Sequence, residues 1–487
     1  MIAVLWAAAL VLLFVVLLRV FGLVPRSREV IDVSRRSLAV IRDPALDDRA
    51  KETTLQANTV VLFRHFGVLA LGGAAALLIP AAVLVAADAV GWASLDAVVD
   101  ASMSPAFLVT TGVVALIALA LPSRSDAAAG EDYSATDRTL HRLAFRTREP
   151  QIAVADLEDR IFRKPLAASD AGEPVFITAL PRAGTTLLLE IFAASPEFAS
   201  HLYRDMPFVL TPLLWNALSS RFQRESGDRE RAHGDGMRIN ADSPEALEEV
   251  LWMAFHPDRY TADRIRPWSE PPDPEFATFF RGHTRKIVLL RGAGGGDGPG
   301  RYVSKNNLNV ARIEVLRQLF PRAPIVVPFR DPRIHAASLL RQHLNFLAIH
   351  ERDSFAREYM REIGHFDFGA NLAPIDFGGW LDDGGPRDAG TLSFWLEYWV
   401  AAYRYLLDRR GDLLFVGYDD FCRTPEPTLR SLAAATGASD PEALLAAARR
   451  VRPPGTTDVD LAGVSSELQR RAADLHEELR ARAIVQS

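Results

Sequence analysis

Two stretches of this chain carry residues whose types and spacing suit the binding of phosphate-like anions. The first is FITALPRAGTTLLLEIF, residues 176–192. It reads as a buried strand, a tight loop and the start of a helix. A strand-to-helix junction of this kind presents unpaired backbone N–H groups and the positive end of a helix dipole to an anion. Gly184 lets the backbone approach a ligand, Thr185 and Thr186 add hydroxyl donors, and Arg182 adds a fixed charge. The stretch is not a Walker A loop, because Thr185 stands where that motif requires the lysine that reaches the β- and γ-phosphates. The second stretch is PIVVPFRDPRIHAASLL, residues 324–340. It places Arg330 at the end of a strand and Ser338 on the helix that follows, and a guanidinium and a hydroxyl so arranged would hold a second, separate phosphate.

Lysine is rare, so each one is informative. Of the 55 basic residues only Lys51, Lys164, Lys286 and Lys305 are lysine. Lys305 lies in YVSKNNLNVARIEVL, between the two anion-binding stretches. A compact ammonium suits a small developing charge where a planar guanidinium fits poorly.

Taken together and in this order, the stretches resemble the PAPS-dependent sulfotransferases, in particular the bacterial and tyrosylprotein-sulfotransferase-like branch. PRAGTT is similar to that family's 5′-phosphosulfate loop, and FRDPRIHAAS to its 3′-phosphate strand and helix. The segment 302–326 is similar to its KxPxN-like region, and LLFVGYDDFCRTPEPTLRSLAAATG to its late strand and YEDL-like segment. The resemblance covers roughly residues 172–437. It implies a P-loop-like parallel sheet flanked by helices. It implies contacts to the donor PAPS from Arg182, Ala183, Gly184, Thr185 and Thr186, and to its 3′-phosphate from Arg330 and Ser338. It makes Lys305 and Arg182 the residues that stabilise the transferring group, with PAP as product and no metal. A base for the acceptor hydroxyl, typically worth ~10²–10⁴-fold, is expected soon after the first helix. The segment SPEFASHLYRDMPFVL has no glutamate at the expected place, which leaves Asp205 as first candidate and His201 as second. His335, His343 and His350, spaced 8 and 7 apart, fall roughly on one helix face and are placed along the acceptor cleft or on the surface.

These motifs must be positioned by an α/β domain, and apolar runs of strand length do alternate with helical patterns after residue 150. Strands are expected at 174–180, 286–291, 302–304, 324–329 and 413–418. Residues 286–291 and 302–304 would be joined across the glycine-rich GAGGGDGPG. Helices are expected at 185–194, 309–320, 333–347, 391–410, 425–436, 441–451 and 465–483. Trp395, Trp399 and Tyr403, at i, i+4 and i+8, read as the core face of the 391–410 helix. Residues 367–390, rich in Gly and Asp, read as a surface loop.

The first 122 residues are different in kind. Apolar runs at 2–18, 66–87 and 103–121 are long enough to span a bilayer. A cleavable signal peptide is the competing reading of the first run, but it has no basic region before it and Arg19 follows it. The loop between the first two runs carries nine Arg and Lys against six acids, whereas the next loop carries Asp88, Asp96 and Asp100 with no base. The positive-inside rule then puts the C-terminal region in the cytoplasm. The expected organisation is a three-helix transmembrane anchor at 1–122, a linker at 123–150 and a cytoplasmic sulfotransferase domain at 151–487. The 487 residues are 49% hydrophobic, which excludes global disorder. A net charge of −6 argues against nucleic acid as a partner, and the single cysteine, Cys422, excludes an internal disulfide or a cysteine-built metal site. The expected partners are a nucleotide donor, the bilayer, and an acceptor bearing a hydroxyl or amine on a glycan, glycolipid or lipid. The competing functions are a kinase or NTPase with a degenerate phosphate loop, and a membrane protein that binds PAP or PAPS without turnover.

Overall fold

The computed structural model describes residues 2–102 and 145–485. Scattered positions between 24 and 47, residues 146–147, 170, 240–241 and 262, and the stretches 220–228, 231–237, 293–299, 383–386, 410–412 and 454–457 are excepted. The chain divides into two compact units, Met1–Arg142 and Leu143–Ser487.

In the first unit, helix α1 (Ile2–Val20) and helix α2 (Asp48–Ala89) are the long elements. Within α2 the stretch Thr54–Ala89 is long and apolar enough to cross a membrane, and it contains the expected span at 66–87. Phe63, Phe66, Leu71, Leu77 and Leu78 on this helix face outward. Helix α1 contains a described apolar stretch at Ala9–Leu18. The third expected span, 103–121, lies outside the described residues. Among the described residues, one helix therefore has the length and composition to cross a bilayer.

The second unit is built on a five-stranded, all-parallel sheet. Its strands are β1 (Val175–Ile177), β2 (Phe198–Ala199), β3 (Arg301–Lys305), β4 (Ile325–Phe329) and β5 (Leu413–Gly417), in the spatial order β2-β3-β1-β4-β5. Helices cover both faces, which is why the strands read as unbroken apolar runs. Alternation along each strand sorts the side chains into two cores. Val175, Ile177, Val303, Val326 and Val416 pack with helix α3 (Thr185–Ala193) and with Leu429 and Leu432 of helix α4 (Pro425–Thr436). Phe176, Tyr302, Ile325, Val327 and Phe415 face the other way, toward helix α5 (Pro274–Arg291), helix α6 (Pro332–Arg352), helix α7 (Leu392–Asp408) and helix α8 (Ser466–Ala481). Trp395, Trp399 and Tyr403 on α7 are fully buried, as their spacing predicts.

Two readings of the sequence are corrected here. Residues 286–291 are the last turns of α5, not a strand. Asp273 caps that helix by accepting from Glu275 N, Pro274 takes the first turn, and Gly292 ends it in the left-handed conformation. The apolar run IVLL belongs to a buried stripe with Phe276 and Phe280, so a helical period passes for a strand when the window is short. The glycine-rich segment accordingly follows a helix rather than joining two strands, and most of it lies outside the described residues. The stretch 367–390 is not a surface loop either: Phe368, Ile375, Phe377 and Trp380 from it are buried in the larger core.

Candidate active site

All five strands are parallel, so their C-terminal ends open on one edge of the sheet, where ligands of open α/β sheets bind. Central β1 leads there into the loop from Thr178 to Gly184, and α3 begins at Thr185. Arg182 has φ +70°, and among the described residues it is the one non-glycine with positive φ. A backbone held in that region is a mark of functional loops. Gly184, at φ +101°, is the N-cap of α3, so the helix starts without a capping side chain. A Cβ at Gly184 would overlap the ring of Tyr418, which leaves glycine as the residue that fits.

One segment holds this loop in place. Arg330 Nη1 donates to the carbonyl of Arg182 at 3.3 Å, His335 Nε2 lies 2.7 Å from the carbonyl of Pro181, and Arg182 Nε donates to Ser338 Oγ at 3.4 Å. The two sequence stretches thus form a single site, with Arg330 and Ser338 touching the first loop itself. Asp331 pairs with Arg333 and caps α6 through Arg333 N and Ile334 N, so it does not neutralise Arg330. The Arg330 guanidinium lies 4.6 Å from the centre of the Tyr418 ring, and its Nε is buried without a protein partner. A buried guanidinium N–H in that state is a ready donor to an anion. Burial, above all, pushes the Tyr418 hydroxyl up to about 12, and it remains neutral.

His335 is fully buried, and burial, with Arg330 and Arg182 nearby, pushes its imidazole down to about 3. It is therefore neutral, and it serves the Pro181 carbonyl as an Nε2–H donor. A histidine whose folded pKa is depressed contributes stability that is complete above its ordinary value of 6.5 and is lost as the pH falls toward 3. At pH 5 the loss from His335 alone is about 2 kcal/mol. Denaturant midpoints at pH 7.5 and pH 5 test this: wild type is expected to lose stability on acidification, and His335→Gln to lose correspondingly less. Parallel curves for the two proteins would count against it. His343 and His350, on the same helix as His335, are buried rather than on the surface. Their Nδ1 atoms accept from Gly369 N and Ala370 N, both at 3.1 Å, and so anchor the 367–390 segment.

Lys305 is the last residue of β3, opposite Ile177 of β1 in register, and is 7% exposed. The chain just beyond it is tied to the loop: Asn306 N donates to Ile177 O at 3.0 Å, Thr178 Oγ1 to Asn306 O at 2.7 Å, and Thr185 Oγ1 lies 3.5 Å from Asn307 Oδ1. The sheet edge therefore collects Arg182, Ala183, Gly184, Thr185, Thr186, Lys305, Arg330 and Ser338 on adjoining strand ends. A polar cluster that sequence reasoning missed lies beside them. Glu248 and Glu249 are buried with Asn306, Asn309 and Arg312. Its available signal was the run NNLNVAR, whose Asn306, Asn309 and Arg312 recur every third residue.

The base candidates are placed differently. Asp205 is 3% exposed, and both of its oxygens are held by Arg291 Nη2, with Leu202 N donating to Oδ2 at 2.9 Å. Burial opposes its ionisation, but His201 and Arg291 outweigh that and hold the carboxyl below its usual range. His201 is equally buried: its Nδ1 lies 3.4 Å from Asp205, its Nε2 3.2 Å from His283 Nε2, and its ring stacks on His283. A general base must offer a lone pair to the acceptor's proton. These two instead complete a buried network, and their environment is that of a structural ion pair.

A cleft of about 1110 Å³ opens elsewhere, lined by Arg266, Trp380, Arg404, Tyr405 and Arg409. It contains none of the loop residues, and Arg404 and Arg409 there are already paired with Glu478 and Glu314. The loop, Lys305, Arg330 and Ser338 thus lie apart from this cleft.

Residues 174–367 match the sequence model of the Sulfotransferase family, a span that contains the loop, Lys305, Arg330 and Ser338. This segment is a sulfotransferase-family domain. Among solved structures, the chain is similar to sulfotransferase STF1 of Mycobacterium tuberculosis, with 16% identity and a TM-score of 0.37 over 74% of this chain and 91% of that one. It is similar to STF9 of Mycobacterium avium, with 17% identity and a TM-score of 0.40 over 71% and 84%. A third similarity is to a sulfotransferase of Alicyclobacillus acidocaldarius, with 14% identity and a TM-score of 0.28 over 64% and 94%. No curated protein sequence matches the chain.

Proposed function

We propose that the protein transfers the sulfuryl group of PAPS to a hydroxyl or amine of a glycan, glycolipid or lipid at a membrane to which it is anchored. In this reading the acceptor oxygen or nitrogen bonds to sulfur, the bond from sulfur to the 5′-phosphate oxygen breaks, PAP leaves, and the acceptor's proton is released. The loop from Arg182 to Thr186 receives the 5′-phosphosulfate at the start of α3. Arg330 and Ser338 receive the 3′-phosphate, and Lys305 meets the charge that develops on the leaving oxygen. Anchoring rests on α2, whose apolar stretch Thr54–Ala89 spans 36 residues, and the loop charges orient the enzyme toward the cytoplasm.

The observation that carries the reading is Arg330. It is stacked on Tyr418, bonded to the Arg182 carbonyl, and left with a buried, unpaired Nε beside the loop. A donor with a 3′-phosphate satisfies that nitrogen; a nucleotide lacking one does not. Calorimetry on the full-length chain with PAP, PAPS, ADP and ATP tests this. Wild type is expected to bind PAP far more tightly than ADP. Arg330→Ala is expected to weaken PAP by about 2–4 kcal/mol, roughly 30- to 1000-fold, while ADP changes little. Equal binding of PAP and ATP, or of neither, would overturn the proposal.

A further inference from the structure

Glu248 is a buried carboxylate, 1% exposed, whose donors are all neutral groups. It accepts from Ser304 Oγ, from Asn309 Nδ2 at 2.8 Å and from Trp252 Nε1 at 3.2 Å, with Asn306 Nδ2 and Tyr302 OH each at 3.4 Å. Its neighbour Glu249 has a cation in direct contact, Arg312. A buried carboxylate whose direct donors are all neutral carries a substantial desolvation penalty, here offset only at longer range by the Arg312 charge. Packing alone would be served as well by an apolar side chain.

Its partners explain the placement. Ser304 and Asn306 are the residues on either side of Lys305. Side chains alternate along an extended strand, and Asn306 continues the extended backbone of β3 with φ −145° and ψ 113°. With Ser304 drawn to Glu248, and Asn306 Nδ2 to Glu249 at 2.7 Å and to Glu248 at 3.4 Å, the Lys305 side chain must project from the opposite face, the face that Val303 shares with α3. The backbone of Asn306 is at the same time tied to Ile177 and Thr178 at the mouth of the phosphate loop. We propose that Glu248 is a positioning residue for sulfuryl transfer, a clamp that holds Ser304 directly and shares Asn306 with Glu249, and so fixes the direction and register of the Lys305 ammonium against the loop. The proposal rests on the role of Lys305 given above. It predicts a defect in turnover rather than in donor binding, because the residues assigned to the 3′-phosphate hang from β4 and α6 and not from β3.

The test uses the full-length chain in detergent, labelled with ¹⁵N-lysine. With four lysines in the chain, the Lys305 backbone amide is assigned by its absence from Lys305→Arg. In Glu248→Gln, which keeps the side-chain volume and removes the charge, the Lys305 signal is expected to shift or broaden while those of Lys164 and Lys286 stay in place. Release of sulfate from PAPS is expected to fall roughly 10- to 100-fold, and PAP affinity to stay within about threefold. An unmoved Lys305 signal with turnover within about threefold of wild type would overturn the proposal, as would equal losses of turnover and PAP affinity. Ser304→Ala removes one arm of the clamp without touching the carboxylate. If Glu248→Gln fails to fold, this variant decides: a smaller change in the same direction supports the clamp, and no change overturns it. Failure of the sulfuryl-transfer reading is distinguishable, since the wild-type chain would then release no sulfate from PAPS, whatever happens to the Lys305 signal in Glu248→Gln.

Discussion

Lys305→Ala is expected to lower sulfate release from PAPS by roughly 10²–10³-fold, the loss typical of removing one donor aimed at developing charge. PAP affinity should stay within about threefold of wild type. The argument is one of differential binding. Transfer of a sulfuryl group loads negative charge onto the oxygen that links sulfur to the 5′-phosphate, and that charge is small in the bound donor. An interaction that strengthens only as the bond breaks raises turnover without tightening the ground state. Lys305 ends β3 level with Ile177, where the phosphate loop leaves β1, so its ammonium hangs from rigid sheet rather than from a mobile loop. Lys305→Arg should not restore the rate, because a planar guanidinium cannot replace a compact ammonium at a single oxygen. Single-turnover measurement of sulfate release makes the comparison, and a loss of less than about tenfold in Lys305→Ala would assign the charge stabilisation to Arg182 and the loop N–H groups instead.

The loop between β1 and α3, that helix, β4 and the segment around Ser338 could be read as elements from the sequence because their signals are local. Turn chemistry at Gly184, a Pro-initiated helix after Asp331 and short β-branched runs are each set within a few residues. What could not be read depended on contacts far apart in the chain. That Arg330 touches the Arg182 carbonyl follows only from β4 lying beside β1, a pairing that periodicity does not encode. Asp205 looked like a base because its loop follows the first helix. Its partner, Arg291, lies 86 residues away at the end of α5, whose last turns carry a strand-like apolar run. The 367–390 stretch looked solvated because Gly and Asp dominate it, yet Phe368, Ile375, Phe377 and Trp380 carry it into the core. There, two histidines of α6 supply the acceptors that its Gly369 and Ala370 N–H groups need. Glu248 and Glu249 escaped notice for a related reason, since an acidic pair ahead of a helix normally reads as a solvated first turn.

Arg312→Met is expected to destabilise the second unit by about 3–5 kcal/mol, against a typical total of about 5–15 kcal/mol for a domain. Arg312 is 1% exposed. Its guanidinium is bidentate on Glu249, donates from Nε to Asn309 Oδ1 at 2.7 Å, and lies 4.0 Å from the centre of the Trp252 ring. Methionine fills much of the same volume, so the loss comes from charge rather than from a cavity. Without the guanidinium, two adjacent buried carboxylates face only neutral donors. The double variant Arg312→Met/Glu249→Gln should recover part of the loss, because it removes the charge left without a partner. Denaturant midpoints of the single and double variants measure this directly. A double variant no more stable than Arg312→Met would show that packing around Trp252, rather than the ion pair, carries the stability. The comparison also separates the two acids. Glu249 answers a buried cation, and its removal should be felt in unfolding. Glu248 holds Ser304, beside Lys305, and shares Asn306 with Glu249, so the same neutralisation there should be felt in turnover.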